Sequence, residues 1–217
     1  MTNNTKKVYL IYNCMEFKEK VFGSHNTMTY LRPSNWLLYL GHLIMSKCQS
    51  KTWIEQISDG ARVLDIRVFP EYNKYHNVIW RYGHGLVKFS KSKSPNIYLI
   101  AKTLNDKANL THQDYYMRII LEKCKSETDV ENFVMLCEGL EKEFPYVKFL
   151  GGNRKSDWRK CYTFLSDITD NNVNQPVSSM ATDARWYEKV CPWLYAKRTN
   201  KVNKDKMING INLFDFI

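Results

Sequence analysis

Two opposite charges set two residues apart inside an apolar, β-branched run constrain this chain more than any other feature. Residues 61–68 read Ala-Arg-Val-Leu-Asp-Ile-Arg-Val and follow the turn pair Asp59-Gly60, the wording of a buried strand opened by a turn. Side chains two apart on a strand share a face, so Asp65 and Arg67 point together into whatever that face covers. Burying a carboxylate and a guanidinium costs several kcal/mol unless both are paired. The fold must therefore supply partners. A strand-end ion pair would do so, and so would a functional site.

Flanking segments favour the site. Upstream, Val21-Phe22 leads into Gly23-Ser-His-Asn-Thr27, a short apolar piece that ends at His25. Downstream, Val78-Ile-Trp-Arg-Tyr-Gly-His-Gly85 is β-rich and ends at His84 between two glycines. Three successive strand-like segments thus end in His25, in Asp65 with Arg67, and in His84. Two imidazoles across a pocket can divide acid–base labour near neutral pH. An arginine between them suits a phosphoryl group, because its planar fork donates two parallel hydrogen bonds to phosphate oxygens.

This order and wording resembles the X-region of phosphatidylinositol-specific phospholipase C. Members carry Gly-Ser/Thr-His-Asp/Asn-Ser/Thr, then Gly-x-Arg-x-x-Asp-x-Arg, then His-Gly. Gly23-Ser-His-Asn-Thr27, Gly60-Ala-Arg-Val-Leu-Asp-Ile-Arg67 and His84-Gly85 match them in that order. The resemblance implies that His25 is the general base on the inositol 2-hydroxyl and His84 the general acid on the departing diacylglycerol oxygen. It implies that Arg67 stabilises the phosphorane, that Asp65 positions Arg67, and that Asp215 orients His25. Asn26, Glu122, Arg154 and Lys88 are its substrate-binding candidates. Eukaryotic relatives bind calcium through the Asn after the first His and through acidic residues, which here would be Asn26, Asp65 and Glu122. Their second strand reads acid-x-acid, whereas this chain has Asp65-x-Arg67, a guanidinium where a ligand should be. The resemblance is therefore closer to the bacterial, metal-independent type, with no cofactor expected and calcium as the alternative.

Element signals along the chain are those of an α/β protein. A short strand is expected at 8–13. A helix from Pro33-Ser34 through Ile44 should bury Trp36, Leu37, Leu40 and Leu43, with His42 structural, and a second helical piece holds Trp53, Ile54 and Ile57. Residues 70–77 read as a polar loop, 78–82 as a strand, and Ser94-Pro95 as the start of another helix. Tyr115-Tyr-Met-Arg-Ile-Ile-Leu-Glu122 is a strand. A helix over 128–144 has a capping box from Thr128 and Glu131. Strands follow at 147–150, 161–165 and 176–180, a loop at 170–174, a helix over 184–198 broken at Pro192, and a last strand at 211–217 carrying Asp215. About eight strands alternating with helices or long loops point to one TIM-type (β/α)8 barrel spanning 1–217, short and distorted for its class. In such barrels the active site sits at the C-terminal strand ends, where His25, Asp65, Arg67, His84, Glu122 and Asp215 all fall.

Composition narrows the partners. No run of eighteen apolar residues is present, and the N-terminal stretch lacks a cleavage site. The six cysteines show no zinc spacing and read as reduced thiols. A cytoplasmic location, or a peripheral one at membranes, is the expectation, with the chain a monomer. The formal net charge of +10 favours an anionic leaflet or a nucleic acid. The basic clusters lack interleaved aromatics, so no nucleic acid is expected. Lys88, Lys91 and Lys93 follow His84 closely enough to favour an anionic headgroup, and Trp80 and Trp193 are candidates for membrane insertion. The rival from another class is a catalytically silent barrel that binds anionic lipid or inositol phosphate. Related diesterase barrels acting on glycerophosphodiesters or sphingolipids use magnesium and an acid pair near the second strand, and Arg67 argues against them.

Overall fold

A computed structural model describes residues 19–153, 173–174 and 183–217. Strands β1 (Lys20–Ser24), β2 (Val63–Tyr72), β5 (Tyr115–Leu121), β6 (Val147–Asn153), β7 (Val173–Asn174) and β8 (Gly210–Phe214) run parallel in the order β7-β8-β1-β2-β5-β6. Two further strands, β3 (Val78–His84) and β4 (Val87–Lys88), are antiparallel additions beyond the end of β2. Helices α3 (Ile97–Thr111) and α4 (Glu127–Glu143) cover β5 and β6.

Alternation along the strands sorts the residues into two faces. Leu64, Ile66 and Val68 of β2, with Met117, Ile119 and Leu121 of β5, pack against Ile100, Leu104, Phe133 and Leu140 of the helices in the main core. The other face carries a smaller apolar layer of Val21, Val63, Tyr116, Leu150, Ile211 and Leu213. Counting in twos from that layer reaches His25 from Val21, Asp65 and Arg67 from Val63, Arg118 and Glu122 from Tyr116, and Asp215 from Leu213. Five strand-borne polar groups and Arg118 therefore rise from one apolar floor toward the C-terminal strand ends. Hydrophobic burial beneath them fixes the register, because a one-residue slip would send all of them to the other face.

Several expectations give way. Among the described residues the sheet does not close, and β6 and β7 are its edges. The link 73–77 between β2 and β3 is too short for a parallel crossover, so β3 returns antiparallel, pairing Tyr72 with Val78 and Val68 with Tyr82. Residues 70–72 are thus strand rather than loop. Pro70 is tolerated there because β5 pairs with β2 only as far as Val68. The helix expected at 33–44 is instead a 3₁₀ turn (Trp36–Leu38), a single α turn, α1 (Tyr39–Gly41), and a π turn (His42–Ser46). Its large apolar side chains are not core: Trp36 is 80% exposed and Leu40 69%. His42 alone in the π turn is buried, bonded to Ser46 and edge-on to Phe89, as a structural histidine should be. Helix α4 is capped by Ser126 with Asp129 rather than by Thr128 with Glu131. The Asp129 carboxylate also takes the Lys125 N–H and the Tyr72 hydroxyl, and this extra pairing sets the register of the cap.

Helix α2 (Trp53–Ser58) forms as expected behind a Thr52–Glu55 capping box. The 184–198 segment breaks before Pro192 into α5 (Trp186–Val190) and α6 (Pro192–Asn203). Val173 and Asn174 pair with β8 rather than lying in a loop. The strands expected at 8–13, 161–165 and 176–180 lie outside the described residues, as does Arg154. Cys48, Cys124, Cys137 and Cys191 are free thiols. No helix of the described residues is long and apolar enough to cross a membrane.

Candidate active site

The histidine of the first motif sits just past the end of β1. Its backbone N–H continues the ladder to the Phe214 carbonyl at 2.9 Å. The Gln49 amide ties the two strand ends together, donating to the carbonyls of His25 (2.9 Å) and Phe214 (2.8 Å). This brings Asp215 beside His25, with His25 Nδ1 2.7 Å from Asp215 Oδ1. A carboxylate there fixes the proton on Nδ1 and leaves Nε2 as the free basic nitrogen.

Asn26 takes a left-handed backbone, φ 48°, which asparagine tolerates better than most residues. That turn lets its N–H reach Asp65 Oδ2 at 3.0 Å. Its side-chain Nδ2 lies 3.1 Å from His25 Nε2 and 3.4 Å from His84 Nε2. One amide nitrogen therefore lies within hydrogen-bond reach of the Nε2 atoms of both imidazoles.

His84 arrives by the hairpin. After Tyr82, β3 leaves β2 and pairs with β4, Gly83 opposite Lys88. A Cβ on Gly83 would meet Phe69 Cε2 at 2.4 Å and the Val87 carbonyl at 2.5 Å, so only glycine allows the strand through. Gly85 has φ 61°, the left-handed region that favours glycine, and its N–H donates to Glu122 Oε1 at 2.8 Å. His84 Nδ1 lies 3.0 Å from the Ser46 carbonyl, an acceptor that assigns it the N–H. Burial, with Arg67 beside it, pushes His84 down to about 4, against the upward pull of the Ser46 bond.

Arg67 is held from two sides, with Nη1 3.2 Å from Glu122 Oε2 and Nη2 3.7 Å from Asp65 Oδ2. Its Nε has no partner among the described residues. Burial alone would lower its affinity for the proton, but Asp65 and Glu122 raise it above the ordinary arginine value. Asp65 is fully buried. Burial would raise its carboxyl, but Arg118, then Arg67 and His25, hold it well below the usual carboxylate range.

Arg118 is the member of this buried cluster that the sequence reading does not single out. It stands opposite Asp65 in the β2–β5 ladder and donates from Nη1 to Asp65 Oδ1 at 2.6 Å, both side chains fully buried. The signal was present: a basic residue in the apolar strand Tyr115–Leu121, four before Glu122 and hence on its face. Cys48 also borders the cluster, accepting a 3.4 Å hydrogen bond from Asn26 Nδ2, and nothing in the sequence around it foretold this.

Structure thus brings together His25, Asn26, Asp65, Arg67, His84, Glu122 and Asp215. It does not bring Lys88, whose Nζ lies 2.8 Å from Glu71 Oε1; the antiparallel β4 aims it back along β2. Lys91 joins the same carboxylate at 3.4 Å. Two of the three calcium candidates already have other partners. Oxygens of Asp65 and Glu122 are engaged by Arg118, Arg67 and backbone N–H groups, and a hard cation there would have to displace two guanidinium groups.

Parallel strands around a polar C-terminal end, with an antiparallel hairpin that carries a histidine, make this a mixed-sheet α/β fold. The solved phosphatidylinositol-specific phospholipase C from Listeria monocytogenes is similar to the chain, with a TM-score of 0.56 over 96% of this chain and 92% of that one. The two share 16% sequence identity, so the likeness is one of fold. No family model and no curated protein matches the sequence.

Proposed function

We propose that the chain is a phosphodiesterase that cleaves phosphatidylinositol-type phospholipids to diacylglycerol and a cyclic inositol phosphate. The observation that carries this reading is the single amide nitrogen of Asn26 lying within 3.4 Å of both imidazole Nε2 atoms, beside a guanidinium anchored by two carboxylates. His25, held by Asp215, takes the proton from the attacking inositol hydroxyl at Nε2. His84, held by Ser46, returns a proton from Nε2 to the departing glycerol oxygen. Arg67 and the Asn26 amide donate to the phosphate oxygens as charge builds on them.

His84 must be protonated to act as an acid, yet burial holds it neutral in the free protein. A phosphodiester anion arriving next to it favours the imidazolium, so the substrate itself loads the acid. Asp65 is kept ionised by Arg118 and holds Arg67 in place.

A lipid surface is the natural setting. The exposed apolar run from Trp36 to Met45 leads directly into Ser46, whose carbonyl anchors His84. Large exposed apolar patches mark interaction surfaces, and the net charge of +10 suits an anionic leaflet. Of the two tryptophans expected to insert, Trp80 packs on the core against Phe133, while Trp193 is exposed on α6 under Lys197.

The test is product release from phosphatidylinositol vesicles in the presence of a chelator, repeated with calcium. Turnover in chelator, with His25→Ala and His84→Ala each slower by about 10²–10⁴-fold, is the expected result. Absence of turnover with and without calcium overturns the enzyme reading and leaves a silent headgroup-binding protein.

A further inference from the structure

His25, Cys48 and Asp215 are all buried, and each offers one ligating atom with all three atoms within 4.8 Å of one another. Imidazole, thiolate and carboxylate together make a ligand set that suits Zn2+ and other thiophilic ions far better than calcium. A second observation points the same way. Asn26 is 1% exposed, and its Oδ1 has no hydrogen-bond partner among the described residues. Its Nδ2 lies 3.4 Å from His25 Nδ1 and 3.4 Å from Cys48 Sγ. A half-turn of the amide exchanges Nδ2 for Oδ1 and aims a fourth donor at the same spot.

We propose that His25, Cys48, Asp215 and Asn26 form a binding site for a thiophilic divalent cation of the Zn2+ type, and that its occupancy silences the site. Zinc–sulfur and zinc–nitrogen bonds of about 2.3 and 2.0–2.1 Å require the ligands to close in by roughly 1 Å. Side-chain rotation supplies this, while the 2.7 Å contact between His25 and Asp215 opens to admit the ion. The cluster gives up one proton on binding, the thiol proton of Cys48, while the proton between His25 Nδ1 and Asp215 moves to His25 Nε2 as Nδ1 takes the ion. Nothing is oxidised or reduced. The nearest guanidinium, Arg67, is already neutralised by Asp65 and Glu122. Because the thiol proton leaves, binding tightens as pH rises. Silencing rests on the proposed role of His25 as base; binding does not.

Binding is tested with Co2+ as a spectroscopic stand-in and with Zn2+ itself, on the full chain. The expected result is one ion per chain, a thiolate-to-cobalt charge-transfer band in the near ultraviolet, and its loss in Cys48→Ser with a dissociation constant raised more than ~100-fold. X-ray absorption at the zinc edge of the wild-type protein, which needs no variant, should report one sulfur among nitrogen and oxygen ligands. Zn2+ should slow turnover in the wild type, reversibly with chelator, and much less in Cys48→Ser relative to that variant's own metal-free rate. A site without sulfur, or a charge-transfer band that survives Cys48→Ser, overturns the proposal. Sulfur ligation without any effect on turnover leaves the metal site standing and removes the silencing.

Discussion

Replacing Arg118 by Met is the perturbation whose size follows most directly from the structure. The guanidinium donates to Asp65 Oδ1 at 2.6 Å, and neither side chain is exposed. Taking it away strands a buried carboxylate that retains the Asn26 N–H at 3.0 Å and Arg67 at 3.7 Å. Breaking a buried pair by removing one partner costs about 3–5 kcal/mol. For a chain of this size about 1 kcal/mol shifts the melting temperature by roughly 2–4 °C, so Arg118→Met should melt about 6–20 °C below wild type. Pairing it with Asp65→Asn should recover part of that loss, because the stranded charge is gone. A double-mutant cycle by chemical denaturation measures the coupling. The acid dependence gives the sign. Asp65 has a depressed carboxyl, so its contribution is fully present above the ordinary carboxylate range and is lost as pH falls below about 3.9. Arg118→Met should therefore be less acid-sensitive than wild type in that window. A single-mutant cost below about 1 kcal/mol, or additive effects in the double mutant, would refute the argument that this pair is buried and coupled.

Further outcomes follow from the same geometry. Burial pushes both His84 and His42 down to about 4, so the unfolded chain binds the extra protons and folding stability should fall as pH drops from about 6.5 to about 4; denaturation midpoints of wild type and His84→Gln should show the variant losing the His84 share of that fall. Asp215→Asn should lower kcat by about 10²–10⁴-fold with little change in KM, read by steady-state vesicle assays, because it frees the His25 tautomer rather than the lipid contacts. Trp36→Ala and Leu40→Ala should leave the melting temperature nearly unchanged yet weaken binding to anionic vesicles in sedimentation. Burying a large apolar side chain contributes about 1.5–3 kcal/mol, so each should cost about 10–100-fold in partitioning.

Legibility of the sequence divided along physical lines. Six of the cluster's side chains were readable because each interrupts or ends an apolar run, where burial makes a titratable group conspicuous; Asn26 came only with the resemblance. Asp65 and Arg67 show this best. Arg118 carries the same signature, but its partner Asp65 stands on a neighbouring strand that sequence spacing does not reveal. The antiparallel return of β3 was hidden in the 73–77 turn, where chain length rather than apolar pattern decides direction. The helical stripe of residues 36–46 was real as a period, yet period does not say what covers a face, and here nothing in the described chain does. Lys88 was misplaced for a related reason: closeness to His84 in sequence means little across a hairpin that reverses the chain.

One titration bears most directly on the claim that two imidazoles and Arg67 face one phosphate. Adding inositol phosphate while following the histidine ring resonances by NMR should move His25 and His84 together, with one midpoint, and shift His84 toward its protonated form. Movement of only one ring, separate midpoints, or unchanged binding in Arg67→Ala would contradict it.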